Sequence, residues 1–156
     1  MKLKLFAFLA CTGLATAALA ADVSYRADIQ PLFKAQCMDC HGDDSPSLAD
    51  FLQAPEKFKK DKQGPRLGSY GELLQLIGWP DAGAFMRRLD NGANTPNKKP
   101  GNMYRNLGET EALRSANLNL IKAWVGEGAW NLNAWQKDGD VPAVSKEQLD
   151  RLKLKY

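Results

Sequence analysis

Cys37-Met38-Asp39-Cys40-His41 is the stretch on which this chain turns. Two thiols three residues apart lie on one face of a helical turn, and the next residue carries an imidazole. That spacing lets both sulfurs meet one edge of a flat macrocycle while the imidazole swings beneath it. The C-x-x-C-H pattern is the attachment site of a c-type haem: the thiols add to the two vinyl groups, and His41 reaches the iron from one side. Two other chemistries use similar residues. A Cys₂His₂ zinc site needs a second histidine, and His41 is the only one in the sequence. A thioredoxin-like disulfide would use the bare C-x-x-C, but it leaves His41 without a purpose, and no strand–helix alternation surrounds it. The haem reading accounts for all three side chains.

The beginning of the sequence agrees with that chemistry. Lys2 and Lys4 precede an apolar run from Leu5 to about Leu19, and Ala18-Leu19-Ala20 stands before Ala21. A basic start, an apolar middle and an A-x-A exit read as a secretory signal peptide over residues 1–20. The run is short for an uncleaved membrane anchor, and no later segment has the length to cross a bilayer. Cys11, after Phe8-Leu9-Ala10, sits too early to be a lipoprotein cysteine. The expectation is export to the periplasm of a bacterium, since covalent haem attachment takes place outside the cytoplasm.

Cleavage after Ala20 leaves 136 residues, enough for one domain. It removes two lysines and no acid, so the formal charge falls from +3 to +1. Haem propionates make the balance slightly negative, and nothing supports a nucleic-acid partner. Cleavage also removes Cys11. Cys37 and Cys40 are then the only thiols, and no structural disulfide is possible once a haem holds both.

The rest of the sequence reads as helices and loops. Asp28 can cap a helix running through Ile29, Leu32 and Phe33 into Cys37, with Pro31 in its first turn. Residues 42–66 are polar and irregular, apart from a short helical piece around Leu48 to Leu52. Leu73, Leu74 and Ile77 mark a helix over Tyr70 to Ile77, closed by Gly78-Trp79-Pro80. A short helix fits Ala82 to Leu89, and the stretch from Gly92 to Gly101 is a loop. Thr110 can cap the longest helix, whose stripe is Leu113, Ala116, Leu120, Ile121, Trp124 and Val125, ending at Gly126 and Gly128. Ser145-Lys146-Glu147-Gln148 is a capping-box pattern before Leu149, Leu152 and Leu154. The expected organisation is an all-α haem domain over residues 21–135 and a C-terminal extension over 136–156 with a short helix.

Iron with one protein ligand has an open axial position, which His or Met often fills. A second His does not exist. Of the four methionines, Met1 leaves with the signal peptide, and Met38 lies inside the attachment segment on the His41 side. Met86 falls in a short helix, where a methionine is more often a gap-filling core residue. Met103 lies in Pro100-Gly101-Asn102-Met103-Tyr104, where a loop can bring a thioether over a haem face. Met103 is the expected sixth ligand.

These residues together resemble the class I cytochrome c family. The match rests on a helix leading into Cys37-x-x-Cys40-His41, on Gly64-Pro65-Arg66-Leu67-Gly68, on Pro100-Gly101-Asn102-Met103-Tyr104, and on the helix after Thr110. It covers residues 28–130. The resemblance implies the class I fold around one covalent haem c, with an insertion before Gly64-Pro65. It implies that the Pro65 carbonyl accepts from the free ring nitrogen of His41 and fixes its tautomer. It also implies that Met103 ligates the iron. Asp28-Ile29-Gln30-Pro31-Leu32-Phe33 and Leu120-Ile121-Lys122-Ala123-Trp124 look like small periplasmic carriers of iron-oxidising bacteria.

Iron closed on both faces exchanges one electron and has no vacant site for substrate. The functional expectation is a periplasmic carrier, not an enzyme, serving periplasmic or membrane-bound redox proteins. An open-site haem protein, binding gases or acting like a peroxidase, follows if Met103 does not ligate. A fixed haem subunit of a larger oxidoreductase is the third reading, with the extension as its docking segment. Lys98, Lys99 and Arg105 flank the Met103 loop, and Lys57, Lys59, Lys60 and Lys62 form a basic run. Either set could steer acidic partners. Arg66, Arg87, Arg88 and the four tryptophans are candidates for propionate contacts.

Overall fold

The first helical segment starts four residues earlier than Asp28. Ser24 is its cap: Ser24 Oγ accepts from the Ala27 amide at 3.2 Å, and Asp28 Oδ2 accepts from the Ser24 amide at 2.8 Å. Asp28 therefore closes a reciprocal cap from inside the segment instead of starting it. The computed structural model describes residues 22–78, 81–95, 97–126, 130, 147 and 154–156. The signal-peptide residues, Trp79-Pro80, Gly128 and most of the C-terminal extension with its capping-box pattern lie outside them.

A π-helical turn, Tyr25–Ile29, runs into α1 (Gln30–Gln36), with Pro31 near its start where no donor is lost. The attachment segment follows as a single turn, α2 (Met38–His41). The polar stretch before Gly64 holds α3 (Leu48–Gln53), close to the expected piece, and a second helix, α4 (Pro55–Lys60). Sequence reading passed over α4 because its lysines hide the helical period. Pro55 at its first turn is the signal that marks it.

α5 (Tyr70–Ile77) has a full capping box between Ser69 and Glu72, and Gly78 is its C-cap. α6 (Ala84–Leu89) starts two residues later than expected, because Gly83 at φ 82° stands before it in the left-handed conformation. A 3₁₀ turn, Tyr104–Leu107, leads to α7 (Glu111–Val125), capped by Thr110 and ended at Gly126 as expected. Among the described residues the chain is all-helical, with no strand.

The helix α7 organises the core. Leu118, Ile121, Trp124 and Val125 lose essentially all their exposure, and the helix packs on the Tyr25–Ile29 turn and on the 3₁₀ turn. Each such side chain contributes about 1.5–3 kcal/mol of apolar burial. Leu113, the first residue of the expected stripe, is exposed, because only the later turns of α7 face the core. The α5–α6 pair closes the other side through Leu73, Ile77, Phe85 and Met86. Stacked and edge-on rings join Phe33 to Phe85, Phe85 to Trp124, and Trp124 to Tyr25 and Tyr70, with centroids 5.7–6.3 Å apart.

The last three residues return to this core. The Lys155 carbonyl accepts from the Tyr25 amide at 2.7 Å and from Trp124 Nε1 at 3.0 Å, and Tyr70 donates to the Leu154 carbonyl at 2.7 Å. Tyr156 stacks on Tyr25 at 5.7 Å. This end of the chain is fastened to the domain's own surface.

Candidate haem site

α1 breaks at Cys37, where φ −125° and ψ −20° leave the helical range. Cys37 is thus the last cap of α1 and the first of α2, and the His41 amide closes the turn on the Cys37 carbonyl at 3.0 Å. Both thiols are free, Cys37 half-buried and Cys40 exposed. Burial pushes the Cys37 thiol up to about 12, with Cys40 beside it adding to the shift. At neutral pH it is a thiol, and a bond to a haem vinyl carbon removes that ionisation.

The chain returns to this turn after α4. The Gly64 amide donates to the Cys40 carbonyl at 2.8 Å, and the Leu67 amide donates to the His41 carbonyl at 3.0 Å. Ser45 Oγ adds a third bond, to the Cys40 carbonyl, at 3.0 Å. The insertion is therefore pinned at both ends to the attachment segment.

His41 Nδ1 lies 2.6 Å from the Pro65 carbonyl. A carbonyl can only accept, so Nδ1 carries the proton and Nε2 keeps its lone pair for a metal. Burial lowers the imidazole's pKa, against the opposing pull of the Pro65 bond, so the ring is neutral at pH 7. Gly64 lies flat against this ring: a Cβ there would sit 2.1 Å from His41 Cε1. Ser69, just after the segment from Gly64 to Gly68, caps α5.

Met86 is fully buried in the core, as a gap-filler should be. Met103 is half-buried and packs against the same core cluster as Cys37 and Met38. Its amide donates to the Arg88 carbonyl at 2.9 Å, and its sulfur accepts from Asn106 Nδ2 at 3.5 Å. An open groove of about 550 Å³ runs along residues 100–106, with Glu111 and Arg114 on its wall. Met103 lines it; Cys37, Cys40, His41 and Pro65 do not. The attachment residues and Pro65 thus form one tight unit, and Met103 belongs to a second.

The donor set fits one haem c. Two free thiols and a neutral imidazole with an open Nε2 occupy the required spacing. No other cluster of metal-ligating side chains exists among the described residues. The expected propionate partners thin out. Arg66 is paired with Glu72 and Arg87 with Asp81, each at 2.6 Å. Trp124 Nε1 is committed to Lys155, and Trp130 Nε1 contacts Asp90 at 3.4 Å. Arg88 is exposed and donates to Asn102 Oδ1 at 3.3 Å. Sequence reading missed two residues of consequence, Gly64 as a steric requirement and Asp90 as the anchor of the Met103 loop. The run Asp90-Asn91-Gly92-Ala93-Asn94 carries the turn chemistry that could have found Asp90.

An all-helical domain with one C-x-x-C-H turn, its histidine oriented by a prolyl carbonyl, defines a monohaem c-type cytochrome carrying one haem c. A profile of the PccH cytochrome c family matches residues 24–156, and the chain belongs to that family. The chain is similar to the monoheme cytochrome PccH from Geobacter sulfurreducens at 43% identity and a TM-score of 0.73. The alignment covers 86% of this chain and 99% of that one. No curated protein sequence gives a significant match.

Proposed function

We propose that this cytochrome is a periplasmic carrier of single electrons, with its haem iron held by His41 and Met103. The haem supplies reversible one-electron exchange, and a thioether ligand favours its ferrous state relative to a second imidazole. The observation that carries the reading is the pairing of two differently held donors. His41 presents Nε2 because Pro65 occupies Nδ1, and Met103 is, among the described residues, the one methionine outside the attachment turn that is neither fully buried nor part of a helix. With both faces occupied, the protein's remaining tasks are to exclude water, orient the ligands and present a docking surface.

Export is supported by the signal-peptide pattern over residues 1–20. No helix among the described residues is long and apolar enough to cross a membrane. The partners are periplasmic or membrane-bound redox proteins. Between Asn91 and Gly108 the sequence has no acidic residue, while Lys98, Lys99 and Arg105 are exposed. The insertion is more mixed: Lys57, Lys59, Lys60 and Lys62 are exposed, but Glu56 pairs with Lys59 at 2.7 Å and Asp61 lies between Lys60 and Lys62. The Met103 loop is the better docking face for an acidic partner.

The test is the oxidised spectrum. A methionine–iron charge-transfer band present in the wild type, lost in Met103→Ala and kept in Met86→Ala, is the expected result. Rapid carbon monoxide binding by the native reduced protein would reject the reading in favour of an open iron site.

A further inference from the structure

The buried carboxylate of Asp90 lies outside the attachment segment, and no step above uses it. Its side chain has no solvent exposure. Oδ2 accepts from the Gly92 amide at 2.8 Å and the Asn94 amide at 3.2 Å. Oδ1 accepts from Asn94 Nδ2 at 2.8 Å and faces Trp130 Nε1 at 3.4 Å. A carboxylate withdrawn from water is costly unless donors surround it, and here they do.

All of those donors but Trp130 Nε1 belong to one loop. Gly92 and Asn94 open the loop that ends at Gly101, and the Asp90 carbonyl accepts from the Gly101 amide at 2.8 Å. One residue therefore holds both ends of the loop, its start by the side chain and its end by the main chain. Gly101 presses onto α6 so closely that a Cβ would lie 2.3 Å from the Arg87 carbonyl oxygen. Two residues on, the Met103 amide binds the Arg88 carbonyl at 2.9 Å. The loop interior adds Thr95 Oγ1 to the Lys99 carbonyl at 2.8 Å.

The geometry points to Asp90 as the positioning residue that keeps the Met103 thioether at the iron. This rests on Met103 being the sixth ligand. The Asp90 carboxylate is engaged by Gly92, Asn94 and Trp130, so it acts by fixing where the loop leaves α6. In Asp90→Asn one carboxylate oxygen becomes an NH₂ group. Either oxygen faces two donors, so the amide sets a donor against donors and the loop base opens.

The experiment titrates oxidised holoprotein with imidazole, which competes with the thioether for the iron, and follows loss of the methionine–iron band. Asp90→Asn is expected to bind imidazole at least about tenfold more tightly than wild type, about 1.4 kcal/mol in favour of the displaced state. Asn94→Ala, which removes one side-chain donor and keeps the main-chain one, should shift the affinity in the same direction by less. Ser69→Ala weakens the α5 capping box away from the loop. It should lower Tm while leaving the imidazole affinity at its wild-type value. If Asp90→Asn does not fold, Asn94→Ala decides alone. A wild type with the band, and loop variants that lower Tm without changing imidazole affinity, would overturn the positioning role alone. A wild type lacking the band would overturn it together with methionine ligation.

Discussion

The two halves of the site are held by different physics. His41 is fixed within its own turn, directly after the two cysteines that a covalent haem would bind, and by one carbonyl at 2.6 Å. Met103 depends on a loop whose ends converge on Asp90 and whose exit is a single amide bond to α6. The donors of the first half are contiguous, so a pentapeptide is enough to announce them, although Pro65 comes from 24 residues away. The second is assembled from α6, a polar loop and Trp130, forty residues away along the chain. If Met103 ligates as proposed, firmness on the His41 side and adjustability on the Met103 side follow from that contrast.

The largest effect that could break the contrast lies at the firm half. Gly64→Ala places a methyl group in the space of the His41 ring, and the ring cannot keep both Nε2 on the iron and Nδ1 on Pro65. A loss of holoprotein yield on the order of 10-fold or more is expected, by analogy with the roughly 10–100-fold losses of metal affinity or activity when groups that orient a metal ligand are removed. Haem content per chain, read from the reduced absorption bands, measures it; an unchanged yield would show that the His41 side is softer than it looks.

Next is the exchange of methionines. Met103→Ala should keep its covalent haem and its fold but gain carbon monoxide binding in the reduced state. Met86→Ala should keep its ligation and lose about 2–5 kcal/mol of stability, because it empties a fully buried site. Denaturant unfolding and carbon monoxide titration together separate the two. Swapped outcomes would mean that the ligand comes from α6.

A smaller effect sharpens the role of the loop base. Burial pushes the Asp90 carboxyl upward, but bonds from Asn94, Trp130 and Gly92 outweigh it, and its pKa in the fold lies below the usual value. A depressed pKa adds stability that is present above the unfolded value of about 3.9 and lost as pH falls through the folded one. The stability gap between wild type and Asp90→Asn should hold steady from neutral pH down to about 4 and close below it. Thermal unfolding across that range tests this; a gap that widens in acid contradicts it.

The smallest effect concerns docking. Lys98→Gln with Lys99→Gln should slow reduction by an acidic partner a few-fold at low salt and leave the rate unchanged at high salt, where screening is nearly complete. Stopped-flow rates at two ionic strengths are sufficient. The corresponding change at Lys57 and Lys60 should do less, since acids are interspersed there.

Much of this was legible in the sequence because it is periodic or local. Thr110 sits before a helix whose apolar residues recur every three or four positions, Leu73, Leu74 and Ile77 mark another, and Cys37 to His41 is a contiguous motif. α4 escaped because Lys57, Lys59 and Lys60 mask any apolar stripe. The true start at Ser24 escaped because Asp28 offered a plausible cap, and only the reciprocal bond between the two resolves the order. Asp90 was legible as a turn residue but not as a buried one. An aspartate before Asn-Gly reads as a surface turn, and nothing local reveals that Trp130 and Gly101 come back to bury it. Nor does the sequence pattern reveal that Arg66, Arg87, Trp124 and Trp130 already hold partners within the fold.

The claim on which these comparisons rest is that Met103 stands over the iron opposite His41. Proton NMR of the reduced protein with isotope-labelled methionine methyl groups tests it directly, since a methyl held over a haem face is displaced far upfield by the ring current. One strongly upfield methyl, absent in Met103→Ala and retained in Met86→Ala, is the predicted result. No upfield methyl, or one that disappears with Met86, would contradict the account.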